Sequence, residues 1–252
     1  MSSPPEAHTA TLEPATHAPA RPAARPSSWL GQAKIILVKD LMIESRSGEV
    51  VINSAFFGLI VVVIASLSFY VELRTRSQLA AGCIWLSTAF AAVLSLSRSW
   101  HRERDAGALD ALLVSPLAPS AIFFGKAVGL LLFLGAVELV VVPTAAIFFS
   151  VDLLDHGLGL LAIAACATPG IAASGTLFGV MTVRTKARDL ILAIVLFPLL
   201  APTLLSAVVA TRDLLDGAPL GELGAFFKLM LVFDLTFIVG GISLFGILTE
   251  GG

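Results

Sequence analysis

The chain has 252 residues, of which 57% are hydrophobic and only 13% charged, and its mean hydropathy of +0.93 lies far from the balance of a water-soluble enzyme. Lys and Arg number 16 against 18 Asp and Glu, so no cationic excess exists to bind a polyanion, which argues against nucleic acid as a partner. Cys83 and Cys166 sit in apolar runs with neither a CxxC spacing nor a nearby histidine, and they read as small buried hydrophobes in place of a zinc site or disulfide framework.

Residues 1–28 hold Pro4, Pro5, Pro14, Pro19, Pro22 and Pro26 among Ala, Thr and Ser, the composition of a disordered tail. The tail has no basic region followed by an apolar stretch and no lipidation motif, so insertion is expected to use the internal hydrophobic segments. From Trp29 to Arg46, Leu30, Ala33, Leu37 and Leu41 recur at helical spacing beside Lys34, Lys39, Asp40 and Glu44. This segment is too charged to span a bilayer and predicts an amphipathic helix lying in the cytoplasmic interface, either a plain anchor or a mechanical element.

A hydrocarbon core of about 30 Å calls for about 20 apolar residues in helical form. Six windows satisfy this: Val50 to Val71, Leu79 to Ser97, Ala121 to Phe149, Leu158 to Val183, Leu190 to Ala210 and Leu229 to Leu248. They are continuous apolar runs, unlike the short alternating segments of a β-barrel. The fold class expected is therefore an all-α integral membrane protein over residues 29–252, with six transmembrane helices. Placing both termini in the cytoplasm puts twelve Lys and Arg inside against four outside, as the positive-inside rule requires, although Arg74 and Arg76 weaken it locally.

Polar residues within the spans carry the first functional hints. Lys126 falls near the start of the third window, where it could snorkel to the headgroups, and Glu138 falls deep within it. An intramembrane carboxylate costs a few kcal/mol unless paired, neutral or facing a polar cavity, so Glu138 is either a functional group or a packing lock beside Pro143. Ser174, Gly175 and Gly179 form one small-residue face suited to close helix approach, and Pro198 with Pro202 should bend or break the fifth helix. Asp234, in the sixth window, is expected to pair with Lys228 or Arg212. The outer segment 211–228 is apolar enough to turn back at Gly217 and Pro219 as a re-entrant lid.

The longest cytoplasmic loop, Arg98 to Ser120, is the densest in charge. Arg98, His101, Arg102, Glu103, Arg104 and Asp105 lead to Gly107, after which Leu109, Asp110, Leu112 and Leu113 suggest a short helix ended by Pro116. Such an apolar ridge with charged flanks is either a docking element for a soluble partner or a helix lying on lipid. No phosphate-binding GxxxxGK[ST], HExxH or GxSxG sequence is present, so no catalysis by the chain itself is expected. His156 alone among the four histidines could face an external ligand, and a solvated residue is the simpler reading.

Taken in order, the leading helix with Lys39-Asp40-Leu41 and Glu44, RSWHRERDAGALDALLVSPLAPSAIFFGK at 98–126, VELVVVP at 137–143, FPLLAPTLL at 197–205 and FDLTF at 233–237 resemble the cytochrome c maturation heme-exporter protein B family, CcmB. The resemblance covers about residues 30 to 250. It implies the permease of an ABC transporter with spans arranged as in ABC-2 exporters, in a bacterial inner membrane. ATP would be hydrolysed by a separate CcmA-like subunit, docked through a coupling helix in 98–120 with Glu103, Asp105, Leu109 and Leu112 as the positions carried over. Heme would be handled by CcmC-like and CcmD-like subunits and a CcmE-like chaperone, with two permease copies per complex. The spans hold no histidine, which fits a mechanical role in releasing the heme-loaded chaperone better than passage of heme. Two other readings remain: an ABC-2 permease exporting a lipid, drug or polysaccharide, and an ion-coupled carrier or scaffold using Glu138.

Overall fold

The computed structural model describes residues 28–68, 73–105, 115, 117–182 and 188–250, and within them every regular element is an α-helix. In chain order these are α1 (Trp29–Ser47), α2 (Glu49–Ser68), α3 (Leu73–Asp105), α4 (Pro119–Phe149), α5 (Leu153–Thr182), α6 (Arg188–Leu215) and α7 (Gly224–Glu250). The segments long and apolar enough to cross a membrane are Glu49–Ser68, Gln78–Ser99, Pro119–Phe149, Leu153–Met181, Ile194–Leu215 and Gly224–Leu248. All six expected spans are thus present, displaced by a few residues at their ends. Leu67, Leu139, Ile147 and Leu154 are 78%, 77%, 79% and 96% exposed, an arrangement that water would penalise and lipid favours.

The helix boundaries follow from local chemistry. Ser28, placed in the tail by composition, caps α1 by accepting a hydrogen bond from the Gly31 amide; the rest of the expected tail lies outside the described residues. Gly48 ends α1 with φ +61 and returns its amide to the Glu44 carbonyl, a left-handed position where glycine carries no Cβ penalty. α2 begins at the next residue. Its first turn has unsatisfied amides, and the Glu44 side chain answers one of them, accepting from Val51 N at 2.8 Å.

α4 is the hub, in contact with α1, α2, α3, α5 and α7, while α5 packs chiefly on α6 and α7. Its buried face presents Phe123, Leu134, Val141, Ala145 and Phe149 to a core shared with Ile163 and Ile171 of α5 and Leu196 and Leu200 of α6. The helix continues through Pro143, as α5 does through Pro169 and α6 through Pro198 and Pro202. The break allowed for α6 therefore does not occur. Gly175 touches α3 so closely that a Cβ there would stand 2.6 Å from Leu96 Cδ1, which is the packing expected of its small-residue face.

Two sequence expectations change. The charged run from Arg98 to Asp105, read as loop, is helical and prolongs α3 beyond its apolar span, because nothing between Leu96 and Asp105 breaks a helix. Segment 211–228 is the last turn of α6, a turn at 216–223 around Gly217 (φ +99) and the start of α7, with no independent half-helices.

Candidate functional site

Polar groups gather at two levels of this apolar bundle. The first lies where α1 runs alongside the opening turns of α4. A Cβ at Gly125 would stand 2.6 Å from the Ala33 carbonyl oxygen and 2.9 Å from Ile36 Cβ, so only glycine permits the two backbones to come this near. At one end of the contact Trp29 Nε1 donates to Ser120 Oγ at 2.9 Å, and the Ala118 amide, just ahead of α4, donates to Gln32 Oε1 at 2.8 Å. At the other end Lys126 Nζ lies 3.5 Å from Asp40 Oδ2, with side chains only 4% and 12% exposed, and Lys39 Nζ lies 3.1 Å from Asp40 Oδ1.

This geometry corrects the placement of two features. Lys126 does not snorkel to the headgroups; α1 covers it and supplies Asp40 as counter-ion. The inward face of α1 is Ala33, Ile36 and Glu44, whereas Leu30, expected on the apolar stripe, is 67% exposed. Ala33, Leu37 and Leu41 of that stripe stay buried or half-buried, and the inward face widens to take in Asp40 and Glu44 because Lys126 and the Val51 amide supply their partners. A cavity of about 10 Å³ adjoins the pair between Asp40, Ser95, Ser99, Lys126 and Thr176, about the space of one water. The buried Ser95 Oγ on its wall has no hydrogen-bond partner among the described residues.

The second level is mid-bundle. Glu138 of α4 is buried, and its Oε1 accepts a hydrogen bond from Thr168 Oγ1 of α5 at 2.7 Å. Asp234 of α7 is equally buried, and it pairs with neither Lys228 nor Arg212: the latter contacts Asp213 at 3.8 Å. Asp234 Oδ1 instead lies on the Gly170 backbone, where any Cβ would overlap it, and has no hydrogen-bond partner among the described residues. Thr168 and Gly170 flank Pro169, so the two carboxyl groups address α5 on either side of the residue that lacks an amide donor. Further along α5, Ser174 Oγ donates back to the Gly170 carbonyl at 2.6 Å, which satisfies that buried hydroxyl within its own helix.

Of the expected coupling residues, Arg102, Glu103, Arg104 and Asp105 fall on the helical extension of α3, and nothing is described of their side chains. Gly107, Leu109, Asp110, Leu112 and Leu113 lie outside the described residues. His156 has Nδ1 3.0 Å from the Asp152 carbonyl oxygen, and no group of His, Cys, Asp and Glu suited to a metal occurs among the described residues. Cys83 is buried and Cys166 half-buried, both as free thiols.

Comparison with known proteins matches residues 32–244 to the family described as CcmB protein. The chain belongs to the CcmB family. The matched region starts in the first turn of α1 and ends in α7, so the family match takes in α1 as well as the spans. Three relatives, each named heme exporter protein B, show how far the likeness extends. That of Bradyrhizobium diazoefficiens is 25% identical over 206 residues, 82% of this chain and 91% of the relative. Those of Paracoccus denitrificans and Rhodobacter capsulatus are 29% and 26% identical, each across 73% of this chain and 84% of the relative. A CcmB-family sequence with six apolar helices is a multi-pass membrane protein of a transport family.

Proposed function

We propose that the chain is the permease subunit of an ABC transporter in cytochrome c maturation, converting ATP hydrolysis by a separate CcmA-like subunit into release of a heme-loaded chaperone at the outer face. The observation that carries this reading is the CcmB-family match over α1 and all six spans in a sequence without a phosphate-binding loop. In the same reading the relatives' names supply heme, held by CcmC-like, CcmD-like and CcmE-like partners, and two permease copies serve two nucleotide sites. Both termini face the cytoplasm of a bacterial cell.

The geometry suits a mechanical role. Segment 98–120 joins the inner extension of α3 to the first turn of α4, and α4 is clamped to α1 by Gln32, Trp29 and the Asp40–Lys126 pair. A push from a closing ATPase dimer on this segment would move α3, α4 and α1 together, and α4 would transmit it to α2, α5 and α7 as a shear of packed helices. Glu103, Asp105, Leu109 and Leu112 are the docking positions in this account.

Purification from native membranes in mild detergent, followed by mass spectrometry, should recover an ATPase with heme-handling subunits. An ATPase alone would favour the general exporter reading, and recovery without any ATPase would remove the ABC mechanism. Replacing Leu109 and Leu112 together with Asp should abolish association with the ATPase. Deleting the protein should eliminate c-type cytochromes while b-type cytochromes persist; unchanged c-type levels would overturn the reading.

A further inference from the structure

At the end of the bundle that the proposed orientation turns outward, α3 and α6 leave between them a groove of about 560 Å³ lined by Gly82, Trp85, Leu86, Phe197, Leu205 and Arg212, among others. Its volume is that of a small-molecule site, and its walls are almost wholly apolar. Leu86 and Leu205 are 48% and 65% exposed, so the groove opens sideways from the bundle, toward the surrounding lipid. One wall is fixed: Trp85 Nε1 donates to Thr211 Oγ1 of α6 at 2.8 Å, a buried bond holding the two helices at a set spacing. Nothing stands within 4 Å of a Cβ built on Gly82, so the space there is empty of protein.

Both signs of charge sit at the outer mouth. Arg212 lines the groove at its outer end and is about half exposed, Asp213 lies beside it at 3.8 Å, and Asp216 is joined to Gln78, another lining residue, by a 3.2 Å hydrogen bond. An apolar slot below neighbouring cationic and anionic groups complements an amphiphile whose head carries a phosphate next to an ammonium. We propose that this groove is a binding site for a zwitterionic phospholipid of the outer leaflet, one acyl chain lying between α3 and α6, its phosphate on Arg212 and its amine toward Asp213 and Asp216. The assignment to the outer leaflet rests on the cytoplasmic termini proposed above, whereas recognition of the lipid does not depend on what the complex exports.

The test uses the full chain in nanodiscs made with a trace of phosphatidylethanolamine bearing a photoactivatable diazirine in its acyl chain, with cross-links mapped by peptide mass spectrometry. Labels should concentrate on α3 around Gly82–Ala89 and α6 around Leu204–Val208. Gly82→Leu, which fills the empty space, should lower that labelling about tenfold, the order expected for closing an apolar pocket. Leu205→Trp, from the opposite wall, should act likewise and guards against a folding defect peculiar to the first variant. Asp213→Asn with Asp216→Asn should erase the preference over a phosphatidylglycerol probe, whereas Arg212→Ala should lower labelling by both probes. Labelling spread evenly over the outer surfaces of α2 and α7, undiminished in both filled variants, would overturn the site. Cross-links from the groove to a second copy of the chain would overturn the lipid as its occupant, and stronger labelling by phosphatidylglycerol would overturn the head-group assignment.

Discussion

Two buried acidic sites in this bundle are handled in opposite ways. Asp40, at the α1–α4 contact, meets Lys126 and Lys39, whereas Glu138 and Asp234, at mid-bundle, meet a threonine hydroxyl and a bare glycine backbone, with no ion pair to either carboxylate among the described residues. Near the membrane surface a paired charge is tolerable because long side chains and partial hydration lower its cost; deeper, every added charge is expensive, and dipoles replace counter-ions. The ion pair is thus suited to holding a helix in place. The mid-bundle carboxyls, set on either side of Pro169, are suited to fixing how α5 meets α4 and α7.

The contrast is broken most severely at the ion pair. Asp40→Ala takes away the carboxylate facing buried Lys126 and should cost about 3 kcal/mol, read as a lowered thermal midpoint in detergent; a shift within error would mean that the pair does not hold α1. Next, Glu138→Ala should cost about 2 kcal/mol through the lost Thr168 bond and the cavity left behind. Glu138→Gln keeps an acceptor for Thr168 Oγ1 and should restore most of that stability. Normal c-type cytochrome levels in Glu138→Gln would identify Glu138 as a packing lock, and their loss with stability retained would show that an ionisable group is needed there. Glu44→Ala, which uncaps α2 at Val51, should cost about 1 kcal/mol, visible as faster amide exchange in the first turn of α2. Least affected should be Arg98→Ala, which removes the bridge from α3 to Glu49: at 40% and 51% exposure the pair should contribute under about 1 kcal/mol, and a larger loss would show that the extension of α3 is structurally essential.

Much of this was legible from residues alone. The interior carboxylate of Glu138 and the close-packing face at Gly175 could be named because cost and size are properties of single residues and short spacings. Partners could not be named in the same way. Asp40 and Lys126 are separated by 86 positions and Thr168 and Glu138 by 30, with no periodic signal linking them. Sequence proximity pairs Asp234 with the nearest cations, Lys228 and Arg212, whereas in the fold its side chain enters α5 at Gly170. Apolar periodicity likewise puts Leu30 on the buried stripe of the first helix and carries no knowledge of a lysine waiting on α4.

The sequence by itself determined the number, length and order of the spans. In lipid each backbone must satisfy its own hydrogen bonds, so about 20 apolar residues define a helix without reference to any neighbour. The tertiary structure alone decided which polar groups meet, how α1 is turned, and where α3 and α6 part to leave a groove. Those outcomes depend on distances between residues remote along the chain, and a buried polar group settles wherever packing brings it a partner or a bare backbone.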